Sequence, residues 1–240
     1  MHFGLTFVRI PHAVIEDKQI LEAMAKAGVH FGVPRSRRHP STKSFVFGTK
    51  NDIEIIDLEK TFESLKKAQE FVTELGRLGK KILMVGNKSE AREIIKVAAE
   101  RSGQPYVNLR WIGGTLTNFD QIRKRIDRLA TLKEEGKTGG LEKYTKRERG
   151  HLSHEVKNLE RFFSGIVNMV ALPDAMIVVD SSKEEIAVVE AHKLHIPVIA
   201  LCNSDCDIRL VEYPIVGNDK SAPGIKLIIE ELMKAYSRSA

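Results

Sequence analysis

Hydrophobic and polar positions alternate along the chain in a pattern that predicts strands separated by helices. Near-continuous apolar runs predict buried strands at residues 81–85, 106–109, 175–180 and 197–202. Apolar residues at helical spacing predict helices at residues 20–27, 58–78, 89–101, 186–194 and 225–236. Apolar strands that alternate with amphipathic helices indicate a parallel sheet covered on both faces. The sequence therefore predicts an α/β fold, a three-layer α/β/α sandwich of Rossmann or flavodoxin type with right-handed crossovers.

A basic segment interrupts this pattern near the amino-terminal end. Residues 31–50 contain two prolines and no acidic residue, and we interpret them as a basic loop. Its basic side chains are Arg35, Arg37, Arg38, His39 and Lys43. Short strands are predicted at residues 45–48 and 53–56, joined by a turn at Asn51 and Asp52.

A second interruption lies in the middle of the chain. Apolar residues in 119–129 and 152–170 recur every three or four positions, which is typical of a coiled-coil seam. We therefore predict an antiparallel coiled-coil helical hairpin at residues 119–170, inserted into a sandwich domain of residues 20–118 and 171–240. Residues 123–149 hold ten Lys or Arg against five Asp or Glu. This charge indicates either a solvated hairpin or a contact with a polyanion. The basic loop at residues 35–43 favours the polyanion, because the two basic regions could act together.

Composition points in the same direction. The net charge is +6 and the isoelectric point is near 9.2, which favours a nucleic-acid partner over a neutral one. No apolar run reaches the roughly 18 residues of a membrane span. The first nineteen residues lack the pattern of a signal peptide. We expect a cytoplasmic protein without a membrane partner.

Motifs of enzyme chemistry are missing from the sequence. The turn at residues 86–89 is where such a fold would hold a nucleotide, but neither G-x-G-x-x-G nor a P-loop pattern is present. Cys202 and Cys206 have no second pair of ligands, so we predict no metal site. We expect no catalytic residue and no cofactor. A nucleotide-binding Rossmann-like enzyme and a protein-docking scaffold remain the alternatives to an RNA-binding protein.

The only tryptophan lies in a distinctive run, Arg110-Trp111-Ile112-Gly113-Gly114-Thr115-Leu116-Thr117-Asn118-Phe119. Glycine lets a backbone pass close to a neighbour, and Arg110 supplies a charge that does not titrate. We interpret the run as backbone packed against a phosphate-rich or protein surface.

Several runs together resemble the bacterial small-subunit ribosomal protein S2 family, in family order from about residue 20 to 236. They are AGVHFG at 27–32, FGTKNDIEIIDLEKT at 47–61, RWIGGTLTNF at 110–119, LPDA at 172–175, VVD at 178–180, IPVIAL at 196–201 and GND at 217–219. The chain departs from the family where Val33 replaces a second His and where Arg38-His39-Pro40-Ser41 replaces a Trp-Asn-Pro-Lys run. Residues 1–19 form a divergent extension.

This resemblance implies a structural constituent of the small ribosomal subunit, not an enzyme. The implied partners are small-subunit rRNA and neighbouring ribosomal proteins, ribosomal protein S1 among the candidates, with no DNA partner. Cytoplasmic and organellar ribosomes both fit the sequence. Phosphates would be neutralised by basic side chains, because folded RNA is recognised largely by shape. The predicted rRNA-binding residues are Arg35, Arg37, Arg38, Lys43, Arg110, Asn118, Arg123, Lys124, Arg125 and Arg128.

Overall fold

The computed structural model of the protein describes residues 12–138, 140 and 144–238. Its helices are α1 His12–Lys26, α2 Leu58–Arg77, α3 Ser89–Ser102, α4 Phe119–Lys137, α5 Lys146–Phe163, α6 Glu185–Lys193 and α7 Ala222–Ser237. Its strands are β1 Phe31–Pro34, β2 Val46–Lys50, β3 Ile53–Ile56, β4 Ile82–Val85, β5 Tyr106–Val107, β6 Ala175–Val179, β7 Val198–Cys202 and β8 Tyr213–Val216. No helix within these ranges is long and apolar enough to cross a membrane.

Five parallel strands form the main sheet in the order β5-β4-β6-β7-β8. Every residue of β4, β6 and β7 is buried, which explains why their sequences are apolar on both faces. In register, Val85 lies beside Val178, and Val178 lies beside Ala200. The chain order changes direction between β4 and β6, so the carboxyl ends of these two strands flank a crevice.

Helices cover both faces of this sheet and complete the predicted sandwich. Met84, Ile177 and Ile199 point to one face and pack in a core that includes side chains of α2, α3 and α7. The opposite face is built by alternate residues such as Val178 and packs against side chains of α4, α6 and the segment around Trp111. The three-layer α/β/α fold is therefore confirmed.

A second, smaller sheet is antiparallel and has the order β1-β3-β2. The predicted turn between β2 and β3 is confirmed, since Asn51 and Asp52 both adopt positive φ. The loop predicted for residues 31–50 is wrong in part. Its first residues form β1, and two 3-10 helices follow at Arg35–Arg37 and Pro40–Phe45.

Ser204 explains this difference, because it provides hydrogen bonds that the local sequence cannot reveal. Its hydroxyl accepts from the backbone N–H of Val33 at 3.1 Å. Its carbonyl accepts from the hydroxyl of Thr42 at 2.8 Å and from the backbone N–H of His39 at 2.9 Å. Ser204 lies two residues beyond the end of β7, so the small sheet and the 3-10 helices are attached to the carboxyl edge of the main sheet.

Two further elements depart from the prediction. Helix α1 begins at His12, earlier than predicted, and β8 lies at Tyr213–Val216, where no strand was predicted. Pro214 and the polar residues around β8 hid its pattern, and its burial depends on pairing with β7. Residues 1–11 of the predicted extension lie outside the described part of the chain.

The predicted hairpin region contains two helices. Helices α4 and α5 are joined by ion pairs between Arg128 and Glu155 at 3.4 Å and between Lys133 and Glu160 at 2.8 Å. Helix α5 ends at Phe163, and residues 139 and 141–143 are outside the described ranges. The antiparallel coiled coil and the domain boundaries stay predictions.

Candidate nucleic-acid interface

The basic segment, residues 35–43, is a hydrogen-bonded structure that presents cations. The backbone N–H of Arg35 donates to the carbonyl of Asp52 at 2.9 Å, which fixes the first 3-10 helix beside the β2–β3 turn. His39 caps the second 3-10 helix by accepting from the backbone N–H of Ser41. The side chains of Arg35, Arg37 and Lys43 are exposed. These three predicted site residues therefore project from a backbone held by its own contacts.

Arg38 differs from its neighbours because its charge is already paired. Its Nη1 donates to Oε1 of Glu54 at 3.0 Å, and the Glu54 side chain is fully buried. A buried carboxylate that loses its partner costs about 3–5 kcal/mol. The side chain of Arg38 retains 26% exposure, but its predicted phosphate contact must compete with this internal ion pair.

The loop at residues 110–118 is built around the carboxylate of Glu190 in α6. One oxygen accepts from the indole N–H of Trp111 at 3.1 Å and from the backbone N–H of Gly114 at 2.7 Å. The other accepts from the backbone N–H groups of Leu116 at 3.0 Å and Thr117 at 3.2 Å, and from the Thr117 hydroxyl at 3.2 Å. Burial raises the pKa of Glu190, but the hydrogen bonds outweigh burial and hold that pKa below its ordinary value.

This arrangement changes the interpretation of the tryptophan motif. Trp111 is only 7% exposed and packs in the core, so it does not offer its ring to a surface partner. Gly114 has a φ of +87°, which glycine adopts without strain and which turns its N–H toward Glu190. Arg110 and Asn118 are exposed at the two ends of the loop, so the motif presents these two predicted site residues.

Sequence reasoning missed Glu190. A signal was available, because Glu190 lies on the face of α6 that also carries Ala187 and Ala191 and is buried. A carboxylate at such a position requires partners, since burial of an unpaired charge is costly.

Helix α4 presents further cations, but they are not equivalent. Lys124 and Arg125 are exposed, and no carboxylate of the described residues pairs with them. Together with Arg128 they line a surface cleft of about 360 Å³ whose far side is formed by Glu155 and Leu159. Lys124 and Arg125 are therefore open to a phosphate, while Arg128 shares its charge with Glu155.

Arg123 has a local structural role. Its Nη1 donates to the carbonyls of Val167 and Met169, both at 3.2 Å, and its Nε lies 3.1 Å from Asp127. These contacts tie the first half of α4 to the chain that leads into β6. The structure thus brings Lys124 and Arg125 to one cleft and places Arg123 in an internal contact.

The crevice at the carboxyl ends of β4 and β6, where a nucleotide enzyme would have its site, is occupied by the chain's own polar groups. The Lys88 ammonium lies 2.6 Å from Asp180 and also contacts Asp219, whose other oxygen accepts from Asn203 at 2.9 Å. Burial lowers the pKa of Lys88, but hydrogen bonds and attraction to the two carboxylates outweigh this and raise it. Burial raises the pKa of Asp219.

Cys206 adds a thiol to this cluster. Its Sγ lies 3.7 Å from a carboxylate oxygen of Asp180. One potential ligand atom from each of Asp180, Cys206 and Asp219 lies within 4.8 Å of the other two. These three groups have the chemistry to bind a metal ion. The Lys88 ammonium, however, already pairs with both carboxylates and offsets one of their two negative charges. The expected lack of a metal stays a prediction.

Comparisons with known proteins support the family resemblance that the sequence motifs indicated. The model of the family described as Ribosomal protein S2 matches residues 24–239. A relative from Coprothermobacter proteolyticus, Small ribosomal subunit protein uS2, is 44% identical over 223 residues, which is 93% of this chain and 82% of the relative. This is a family of ribosomal structural proteins and not of enzymes, and the match does not favour the nucleotide-enzyme or docking-scaffold alternatives. The chain belongs to the ribosomal protein S2 family.

Proposed function

We propose that the chain is a structural constituent of the small ribosomal subunit that contacts rRNA phosphates through three groups of exposed cations. They are the basic segment with Arg35, Arg37 and Lys43, the loop end with Arg110 and Asn118, and the α4 cleft with Lys124 and Arg125. Membership of the ribosomal protein S2 family supports the structural role. Arg38, Arg123 and Arg128 would contribute less, because each already bonds to protein oxygen atoms.

The basic segment is the observation that carries this proposal. Its backbone is held by hydrogen bonds to Asp52 and Ser204, so binding need not order the backbone that carries its cations. Glu54, a carboxylate of the small sheet, is buried and neutralised by Arg38. Arg35, Arg37 and Lys43 have no carboxylate partner among the residues that the structure describes. Such a surface suits a polyanion.

Sedimentation through sucrose gradients tests the proposal. Tagged protein is expressed in cells, and its fraction in small subunits is compared with that of the triple variant Arg35→Glu, Arg37→Glu and Lys43→Glu. We expect the variant to shift toward the ribosome-free fractions, because each lost phosphate contact removes electrostatic binding affinity and each glutamate repels the phosphates. Equal incorporation at physiological salt would remove the basic segment from the interface.

A matched control changes the same charge elsewhere. Lys18, Lys67 and Arg101 are exposed on α1, α2 and α3, helices that do not contain the basic segment, and none of them has a side-chain ion pair within the described ranges. Their triple change to glutamate should leave incorporation near that of the unchanged protein. If both triple variants fall equally, net charge and not position explains the result.

Neighbouring ribosomal proteins form the other half of the proposed role. The sequence resemblance supports ribosomal protein S1 as one candidate neighbour. We place this role on cytoplasmic ribosomes. Affinity capture after nuclease treatment separates the two kinds of contact. A partner held through RNA disappears, whereas a directly bound protein remains.

A further inference from the structure

The outer surface of the small antiparallel sheet exposes large apolar side chains. Phe47 is 80% exposed, Phe31 is 47% exposed and Ile53 is 40% exposed. The inner surface of the same sheet is buried, with Glu54 and Ile56 at 0% and 2%. We call Phe31, Phe47 and Ile53, together with Gly48 beside Phe47, the apolar face. Exposed aromatic rings grouped on one sheet indicate a contact surface.

Strand register explains why these residues share one surface. Phe31 lies opposite Ile55, and Ile55 lies opposite Gly48. Ile53 precedes Ile55 by two positions in β3 and therefore points to the same side. Phe47 occupies the irregularity between the Val46 and Gly48 pairings, where the strand carries an extra residue.

Gly48 leaves space beside the Phe47 ring. A Cβ atom added at Gly48 would meet no atom within 4 Å, so the surface there is bare backbone open to solvent. A flat group can therefore approach Phe47 without displacing a neighbouring side chain. This shape suits an aromatic ring that stacks better than it suits a bulky aliphatic side chain that needs a pocket.

Two cations lie at the end of the apolar face that is next to the β2–β3 turn. Lys50 lies opposite Ile53 in the same register row, and its side chain is exposed. Arg35 is fixed beside the β2–β3 turn by its backbone hydrogen bond to Asp52. Asp52 is the acidic residue of this sheet that is exposed, because Glu54 points inward to Arg38. The rim at this turn therefore carries two cations against one exposed carboxylate, an excess of positive charge that matches a partner combining flat rings with negative charge.

We propose that the apolar face binds unpaired nucleotides of RNA, with bases stacked on Phe47 and Phe31 and phosphates held by Arg35 and Lys50. Aromatic side chains beside cations are the usual means of holding single-stranded RNA, because every base has a π-face. The inference rests on the proposed function and extends it from phosphate contacts to base contacts.

Binding of two labelled ten-nucleotide RNAs to the full chain tests the stacking. One is an adenosine oligonucleotide, and the other has the same backbone without bases. We expect the adenosine RNA to bind more tightly at equal salt. Phe47→Ala should weaken its binding about 5- to 150-fold, the range for loss of a base–aromatic stack, and should leave the abasic RNA unaffected. Equal binding of the two RNAs by the unchanged protein would overturn the proposal.

Two further variants identify what the surface recognises. Phe47→Leu keeps an apolar side chain but removes the ring, so it should lose binding nearly as much as Phe47→Ala. Ile186→Ala removes a side chain that is 62% exposed on α6, outside the apolar face, and should change nothing. Thermal unfolding of each variant checks the fold, and Phe31→Ala provides a second, independent ring deletion.

The failure of stacking and the failure of the proposed function give different results. If Phe47 variants bind RNA normally while the Arg35, Arg37 and Lys43 reversal weakens both RNAs, stacking is wrong and the phosphate contacts stand. If Phe47→Ala instead loses a protein neighbour after nuclease treatment, the apolar face is a protein contact and the inference is overturned. If neither set of variants affects RNA binding, the proposed interface fails as a whole.

Discussion

Replacing Glu190 by glutamine removes one negative charge from the centre of the 110–118 loop while keeping the shape of the side chain. The first carboxylate oxygen accepts two hydrogen bonds and the second accepts three. Glutamine presents one oxygen and one NH₂ group, so at least two donors face another donor. Each buried donor left without an acceptor costs about 1–3 kcal/mol, so the free energy of unfolding should fall by about 2–6 kcal/mol.

Urea denaturation followed by tryptophan fluorescence measures this loss directly. Trp111 is the only tryptophan in the sequence and donates to Glu190, so its emission reports on the loop itself. Glu185→Gln is the matched control, since Glu185 is exposed in the first turn of the same helix. Its loss should stay within about 1 kcal/mol, the usual size of a helix-dipole interaction. A loss below about 1 kcal/mol for Glu190→Gln would refute the reasoning.

Acid titration should show how the stabilising effect of Glu190 depends on pH. The pKa of Glu190 is lower in the folded chain than its ordinary value, so its stabilising effect is fully present above the ordinary carboxyl pKa. That effect is lost as the pH falls through the ordinary value toward the folded one. The stability gap between the unchanged protein and Glu190→Gln should therefore narrow on acidification.

Two further predictions concern other buried carboxylates. Arg38→Ala leaves Glu54 buried without its cation and should cost about 3–5 kcal/mol in urea denaturation, whereas adding Glu54→Gln should recover part of the loss; no recovery would contradict the pairing. Burial raises the pKa of Glu184 to about 7, so its ionisation destabilises the fold as the pH rises from about 4.5 to 7. Glu184→Gln keeps an oxygen for the N–H of Asn87 and should flatten the stability profile between pH 5 and 8, gaining at most about 3 kcal/mol at pH 8; an unchanged slope would count against this assignment.

The sequence pattern was most informative where burial is symmetric. Strands β4, β6 and β7 are buried on both faces, so their sequences are apolar throughout and predict a covered parallel sheet. The turn at Asn51 and Asp52 was also readable, because these residue types tolerate positive φ. The family resemblance, carried by short runs spread along the chain, was confirmed by the family match.

The sequence was least informative where partners are distant. The hydroxyl and carbonyl of Ser204 bond to Val33, His39 and Thr42, each more than 160 residues away, and so order a segment that looked like a loop. The roles of the predicted cations were separated in the same way. Arg38 and Lys43 are both basic residues of the same segment, so the sequence does not distinguish their roles. In the structure, Arg38 pairs with a buried carboxylate, whereas the Lys43 side chain is exposed to solvent.

Local sequence thus determined the covered sheet, its helices and an excess of positive charge, because periodicity and composition are properties of neighbouring residues. Tertiary structure decided which of those charges face outward, and why Trp111 is buried around Glu190 instead of lying on the surface. It also placed Phe31, Phe47 and Ile53 together on one exposed face. The reason is that pairing of a charge or exposure of a ring depends on groups brought close only when distant segments fold against each other.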